Sequence, residues 1–370
     1  MELGTRQAFG IIDIGVQWRR RSRSLRHAYL SMTLALVCAM SPRTAAAQTK
    51  PAAAIWTPPK TAWGDPDLQG IWTSDDSIGV PLERPRRYGN RKQLTEEEFA
   101  ERAQENSKIS TSVQAGVNPQ TGYWVQHEGV DAEPYSSNWT EYARRTSRQT
   151  SLIVNPEDGH LPPLTKEAMM LRAASIAASR KKPRPQSWED LNMNARCITR
   201  GVLGSILPVV YGNGTDILQA PGLVVIRNEM IHETRLVPID APQNPRPHLP
   251  DAIRTYMGDP RGHWEGNTLV VETTNFIGGR VGIGANGEGI KYSDDLRLVE
   301  RFTRTSDSAI QYQVTVHDPK TFKASWTAAF PVTREPGYRI FEYACHEGNY
   351  AMANILSEAR AAEKADPATK

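Results

Sequence analysis

Cysteine and histidine are scarce in this chain, three and eight among 370 residues, and the spacings by which they usually announce chemistry are missing. No H-E-x-x-H run is present. His232-Glu233 is followed by Arg235 and Leu236, and His346-Glu347 by Asn349 and Tyr350, so neither offers a second histidine one helical turn on. There is no G-x-S-x-G elbow, because GVLGSILP at Gly201–Pro208 lacks the second glycine of the sharp turn. The phosphate cradle G-x-x-x-x-G-K-[ST] is absent as well. GIGANGEG at Gly282–Gly289 follows no buried strand and opens no helix, so it reads as a loop able to act as a lid. Internal repeats and low-complexity tracts are absent too. No apolar run reaches the roughly 20 residues that span a bilayer comfortably.

The longest apolar run, Ala28 to Met40, lies between an arginine-rich stretch (Arg19 to Arg26) and the small residues Ala45, Ala46 and Ala47. Basic, apolar and A-x-A parts in that order are those of a secretory signal, with cleavage expected after Ala47. The segment carries seven arginines against only Glu2 and Asp13, so its removal takes the net charge from +3 to −2. A nucleic-acid surface needs clustered Lys and Arg, and the balance left argues against nucleic acid and against membrane association after cleavage. The expected location is periplasmic or secreted. Cys38 leaves with the signal. Cys197 and Cys345 then read most simply as one disulfide closing a loop of about 150 residues, the rival being a thiol ligand or nucleophile at Cys345 beside His346.

Residues 48–93 are rich in proline and tryptophan and read as an arm laid across the body, anchored by Trp56, Trp63 and Trp72. Residues 94–199 read as helix and loop. Thr95 caps a helix opening on Glu96, Glu97 and Glu98, a loop from Ser107 to Trp139 holds Tyr123, Trp124, Tyr135 and Trp139, and a short strand covers Ser151–Val154. Thr165 opens a second helix to about Arg180. From about residue 200 the chain turns to strands at Asp216–Ala220, Leu223–Arg227, Met230–Val237, Thr268–Thr273, Leu296–Arg304, Ala309–His317, Ser325–Phe330 and Tyr338–Tyr343, many separated by turn dipeptides such as Pro221-Gly222 and Gly266-Asn267. The expected fold is mainly β, an antiparallel meander over residues 200–356 closing into a small lipocalin-like barrel able to hold one ligand, with a sandwich as the alternative. Two or so helices pack outside, and residues 357–370 form a tail.

Two motifs set a histidine beside a glycine-flanked carboxylate, GHWEGNTLVVET (His263, Glu265) and ACHEGNY (His346, Glu347). EMIHETRLVPID adds His232, with both strand faces partly polar. In LRLVERFTRT, alternation puts Glu300 on one face with Leu298 and Phe302; turned inward it needs a partner, and a shallow sheet with a neighbouring-strand arginine would supply one. A histidine with a carboxylate neighbour moves protons near neutral pH, so His232, His263 and His346, with Glu265, Glu300 or Glu347, are the candidate acid–base groups. Arg235, Trp264, Tyr312, Tyr343 and Asn349 are the candidate ligand contacts. No cofactor is predicted; a metal would need three ligands assembled from distant loops plus water.

PDLQGIW, RCITRG, EMIHETRLVPID, RPHLP, GDPRGHWEGNTLVVETTNF, LVERFTR and YACHEGNYAMANIL together resemble a large family of exported bacterial proteins. The resemblance spans nearly all of the chain after the signal and brings no catalytic assignment. The strand–turn rhythm of WEGNTLVVET and LVERFTRTSDSAIQYQVTV is similar to lipocalin- or nitrobindin-type barrels. The expectation is an exported small-molecule enzyme using His/carboxylate chemistry (isomerase, lyase or hydrolase) on a largely apolar or aromatic compound. The alternatives are a non-catalytic ligand-binding barrel and a metal-dependent hydrolase or oxidoreductase.

Overall fold

In the computed structural model, which describes residues 56–114, 141–181, 184–241 and 243–365, the proline-rich start supplies a sheet strand. β1 (Gly70–Thr73) carries Trp72, fully buried, with its indole donating to Leu68 O at 2.9 Å. The expected arm is thus part of the body; Trp63 stays exposed, and the Trp56 ring lies under Arg304. α1 (Glu96–Gln114) opens on the cap expected at Thr95, whose hydroxyl accepts from Glu98 N at 3.2 Å while Thr95 N donates to the Glu98 carboxylate at 2.8 Å, closing a capping box. β2 (Ile153–Asn155) follows, then α2 (Lys166–Lys181), begun by Thr165, and the short buried α3 (Gly201–Ile206).

The sheet continues with β3 (Gly214–Ala220), β4 (Leu223–Asn228), β5 (Thr234–Pro238), β6 (Asp259–Glu265), β7 (Thr268–Thr274), β8 (Arg297–Ser306), β9 (Ala309–His317) and β10 (Trp326–Thr333), before α4 (Tyr350–Ala365). The order is β5-β4-β3-β1-β10-β9-β8-β7-β6, every neighbour antiparallel, with β2 added to β10. Nine strands of alternating direction bring first and last to the same direction, so a seam between them must be parallel. It is: just past β5, Ile239 bridges Gly262 in parallel and Asp240 N donates to Gly262 O at 2.7 Å. A Cβ at Gly262 would sit 2.8 Å from Ile239 Cδ1 and 2.9 Å from Val237 Cγ1, so a larger residue would require those side chains to shift at the seam. The result is a nearly closed antiparallel barrel.

Alternation fills the interior. Leu298, Glu300 and Phe302 of β8, Ile310, Tyr312, Val314 and Val316 of β9 and Ala328, Phe330 and Val332 of β10 all point inward. The Tyr312 ring lies 5.0 Å from Phe302 and 5.2 Å from Phe330, so at this level the barrel is packed with side chains. The glycine-rich run expected to be a lid is also packed. A Cβ on Gly204 of α3 would lie 2.2 Å from Gly287 N, backbone against backbone. Residues 230–232 form a 3-10 turn where a strand was expected, and 338–343 make no strand. α2 has no buried residue, so it is not packed onto the barrel as expected. The expected tail is the second half of α4 as far as Ala365. The signal segment, the aromatic residues Tyr123, Trp124, Tyr135 and Trp139, and 366–370 lie outside the described residues.

Candidate carboxyl site at the barrel mouth

β1 ends at Thr73, which pairs with Gly214 at the start of β3 and with Thr333 at the end of β10, while Thr215 pairs with Asn228 at the end of β4. Four chain segments therefore meet at one rim, and each brings a polar residue. Asp75 follows β1, Asn213 precedes β3, Glu229 follows β4, and Tyr338 follows β10; Glu141 joins them, its N–H donating to Val210 O at 2.8 Å. The Asn213 side-chain amide lies 2.8 Å from Asp75 Oδ1 and 2.7 Å from Glu141 Oε2. The Tyr338 hydroxyl lies 2.6 Å from Glu229 Oε2 and 3.1 Å from Glu141 Oε1. The Asn213 amide thus ties the Asp75 and Glu141 carboxyls together, and each lies within the other's electrostatic reach.

Burial dominates the electrostatics. It raises the Asp75 carboxyl and the Glu229 carboxyl above their ordinary range. Glu141, desolvated and beside the Asp75 charge, is pushed up to about 9. Among the described residues, no Lys or Arg side chain forms an ion pair with any of the three. The cations nearby are spent elsewhere: Arg145 holds Asp76 at 2.7 Å and Arg144 holds Glu335. Burial and the adjoining carboxyls raise the Tyr338 phenol, so it stays a neutral hydroxyl. Asp75 and Glu229 are buried, whereas Glu141 and Tyr338 keep partial exposure and open the group to solvent.

A second polar group adjoins the first through Glu229-Met230-Ile231-His232-Glu233. Ile231 and His232 both hold positive φ, 59° and 52°, a strained state for a β-branched residue. The turn sends Glu233 to Thr199 Oγ1, to Arg200 N at 3.0 Å and to Ser205 Oγ at 3.1 Å. Burial raises this carboxyl too. The Arg200 guanidinium is fully buried, its Nη2 donating to Asn286, with the Tyr211 ring centroid 5.5 Å away. Cys197 and Cys345 form the expected disulfide and pin the chain from Tyr338 onward across this end. RCITRG, EMIHE and YACHEGNY thus meet in space.

The predicted histidines are not gathered into one buried cavity. His232 is exposed on the strained turn, and His346 and Glu347 are exposed beyond the disulfide. His263 lies on the outer face of β6, 3.2 Å from Glu265, which Arg301 also holds at 2.7 Å; Trp264 packs its ring on the core. Glu300 turns inward, but its partner is not on a neighbouring strand. Arg235 of β5 reaches across the barrel to grip both its oxygens, with the Tyr312 hydroxyl 3.0 Å from Oε1. At 2% and 0% side-chain exposure, Arg235 and Glu300 satisfy each other inside the packed core and do not face a ligand. Asn349 caps α4, accepting Met352 N at 3.3 Å and donating to Ala195 O at 3.0 Å. Tyr343 is half-buried and feels the Arg200 charge.

The mouth carboxyls escaped sequence reasoning because Asp75, Glu141, Asn213, Glu229 and Tyr338 share no spacing. Their one signal was acids placed just beyond strand ends. Among the described residues, no group of three or more His, Cys, Asp and Glu side chains is arranged to hold a metal ion, and no helix is long and apolar enough to cross a membrane. Comparison with family models, with curated proteins and with solved structures gave no match.

Proposed function

We propose that this chain is an exported acid–base enzyme, of isomerase or lyase type, acting on a small, largely apolar or aromatic organic molecule at the carboxyl group of the barrel mouth. One observation carries the reading: Asp75, Glu141 and Glu229 are gathered by Asn213 and Tyr338, and among the described residues no Lys or Arg forms an ion pair with any of the three. A structural cluster would be neutralised by Arg or Lys, as Arg235 neutralises Glu300. A carboxyl protonated at neutral pH can donate, and a neighbouring carboxyl in its ionised form can take a proton back, which is what proton relocation within one substrate requires. Glu141 is the donor in this scheme and Asp75 the partner that receives the proton. Tyr338 orients both Glu141 and Glu229. The disulfide fits an oxidising compartment outside the cytoplasm.

The test has two parts. Infrared or carbon-13 titration of the full chain is expected to show a carboxyl that keeps its proton to about pH 9 and vanishes in Glu141→Gln. Against a panel of aromatic and alicyclic carbonyl compounds, a substrate found for the wild type is expected to bind Glu141→Gln while its turnover falls at least about a hundredfold. Unchanged turnover in both Glu141→Gln and Asp75→Asn refutes the assignment. Binding sensitive to these variants without any turnover makes the chain a binding protein.

A further inference from the structure

Helix α2 is sixteen residues long and has no buried residue. Four large apolar side chains stand in solvent: Met169 at 49%, Met170 at 73%, Leu171 at 66% and Ile176 at 46% exposure. From Ala168 to Ala178 the only polar residues are Arg172 and Ser175, three apart and so on one side of the helix. The opposite side is a broad apolar surface centred on Met170, Ala174 and Ala177, with Met169 and Leu171 as its flanks. Charge is confined largely to the ends, with Lys166 in the first turn and Arg180 and Lys181 in the last. Lys166, Arg172, Arg180 and Lys181 make no ion pair among the described residues, and Glu167 is the helix's one acid. The helix is held at its start, where Thr165 N donates to Thr321 O at 3.0 Å. That loop lies beyond β9, at the end of the barrel away from the mouth.

We propose that α2 is an interfacial helix that lays its apolar side on an anionic lipid surface, its terminal Lys and Arg residues reaching the headgroups. A broad apolar face, exposed Met and Leu, and unpaired cations at both ends are what an in-plane membrane helix requires. The net charge of −2 after signal removal does not bear on this, because charge acts within about 8 Å at physiological salt, and the helix itself carries four cations against one acid. A second copy is a poorer occupant, since it would oppose one positive helix with another. The inference does not depend on the chemistry at the mouth.

Co-sedimentation of the full chain with phosphatidylglycerol-containing vesicles and with pure phosphatidylcholine vesicles tests it. Binding is expected to the first and not the second. Replacing Arg180 and Lys181 together by glutamine is expected to weaken partitioning about 30-fold, at about 1 kcal/mol per cation near the surface. Met170→Glu is expected to weaken it about tenfold or more, with the melting temperature unchanged because Met170 is largely exposed. The proposal is overturned by equal binding to both vesicles, by Met170→Glu binding as the wild type does, or by a lipid-free dimer that Met170→Glu abolishes. The last outcome would assign the face to a second copy.

Discussion

Replacing Glu300 with leucine leaves the Arg235 guanidinium charged, fully buried and without a counter-ion. The wild-type pair makes two hydrogen bonds, and Tyr312 contributes a third at 3.0 Å to the same carboxylate. Removing one member of such a buried pair costs about 3–5 kcal/mol, chiefly through the desolvated charge left behind. The cost is expected to appear as a fall of roughly 10 °C in melting temperature, since a large domain loses about 2–4 °C per kcal/mol. Glu300→Gln should cost less, because an amide oxygen still accepts from Arg235 and Tyr312. The double variant Arg235→Met, Glu300→Leu removes both charges and fills similar volume. It should recover most of the loss, leaving the Tyr312 hydroxyl as the main unsatisfied group at about 1–3 kcal/mol. Urea unfolding of the wild type, of Arg235→Met and Glu300→Leu alone, and of the double variant gives the coupling energy directly. If Glu300→Leu costs under about 1 kcal/mol, or the single effects simply add, the pair is not the sealed charge-neutral unit described here.

Three other outcomes are expected. Reducing the disulfide, or Cys197→Ser with Cys345→Ser, should lower stability by about 2–5 kcal/mol because a loop of 148 residues is released, read as a drop in unfolding midpoint with dithiothreitol. The raised Asp75, Glu141 and Glu229 carboxyls hold protons more tightly folded than unfolded, so their contribution is fully present below about pH 4.5, the ordinary carboxyl value, and is lost as pH rises toward about 9. Melting temperature should fall across that window, and Glu141→Gln should flatten the fall; an unchanged slope would deny that Glu141 is raised. Gly262→Val should cost about 1–3 kcal/mol by overpacking the seam against Ile239 and Val237, whereas the same change at Gly266, with nothing within 4 Å of its Cβ, meets only backbone strain.

Periodicity of two and turn dipeptides made β3, β4, β7, β8 and β9 legible almost to the residue, and alternation grouped Glu300 with Leu298 and Phe302 without deciding which face turns inward. What escaped was set by tertiary context. β1 is only Gly70-Ile71-Trp72-Thr73, too short for a period to show, and its pairing with β3 and β10 supplies what local sequence does not. β6 holds Pro260 and Gly262, residues that argue against a central strand, yet it sits at the barrel seam, where the glycine packs closely on Ile239 and Val237. The run 338–343 has strand-like composition but forms no strand; Tyr338 and Phe341 bond Glu229 instead. α4 was hidden because the YACHEGNY motif drew attention to chemistry, while Asn349 serves to cap the helix.

The mouth illustrates why spacing alone misled. In an extended strand, Glu229 and Glu233 stand four apart and face the same side. The left-handed pair Ile231 and His232 breaks that relation, sending Glu229 to Tyr338 and Glu233 to Thr199 and Ser205. Such backbone costs about 1–3 kcal/mol per residue and persists only where the surroundings over-determine it. Here the surroundings are the hydrogen bonds at each end, and each is made to a segment remote in sequence. The histidine, the most reactive-looking residue of the motif, occupies the strained corner and faces solvent. Of the two glutamates that flank it, Glu229 is buried and Glu233 partly so, and desolvation raises both carboxyls.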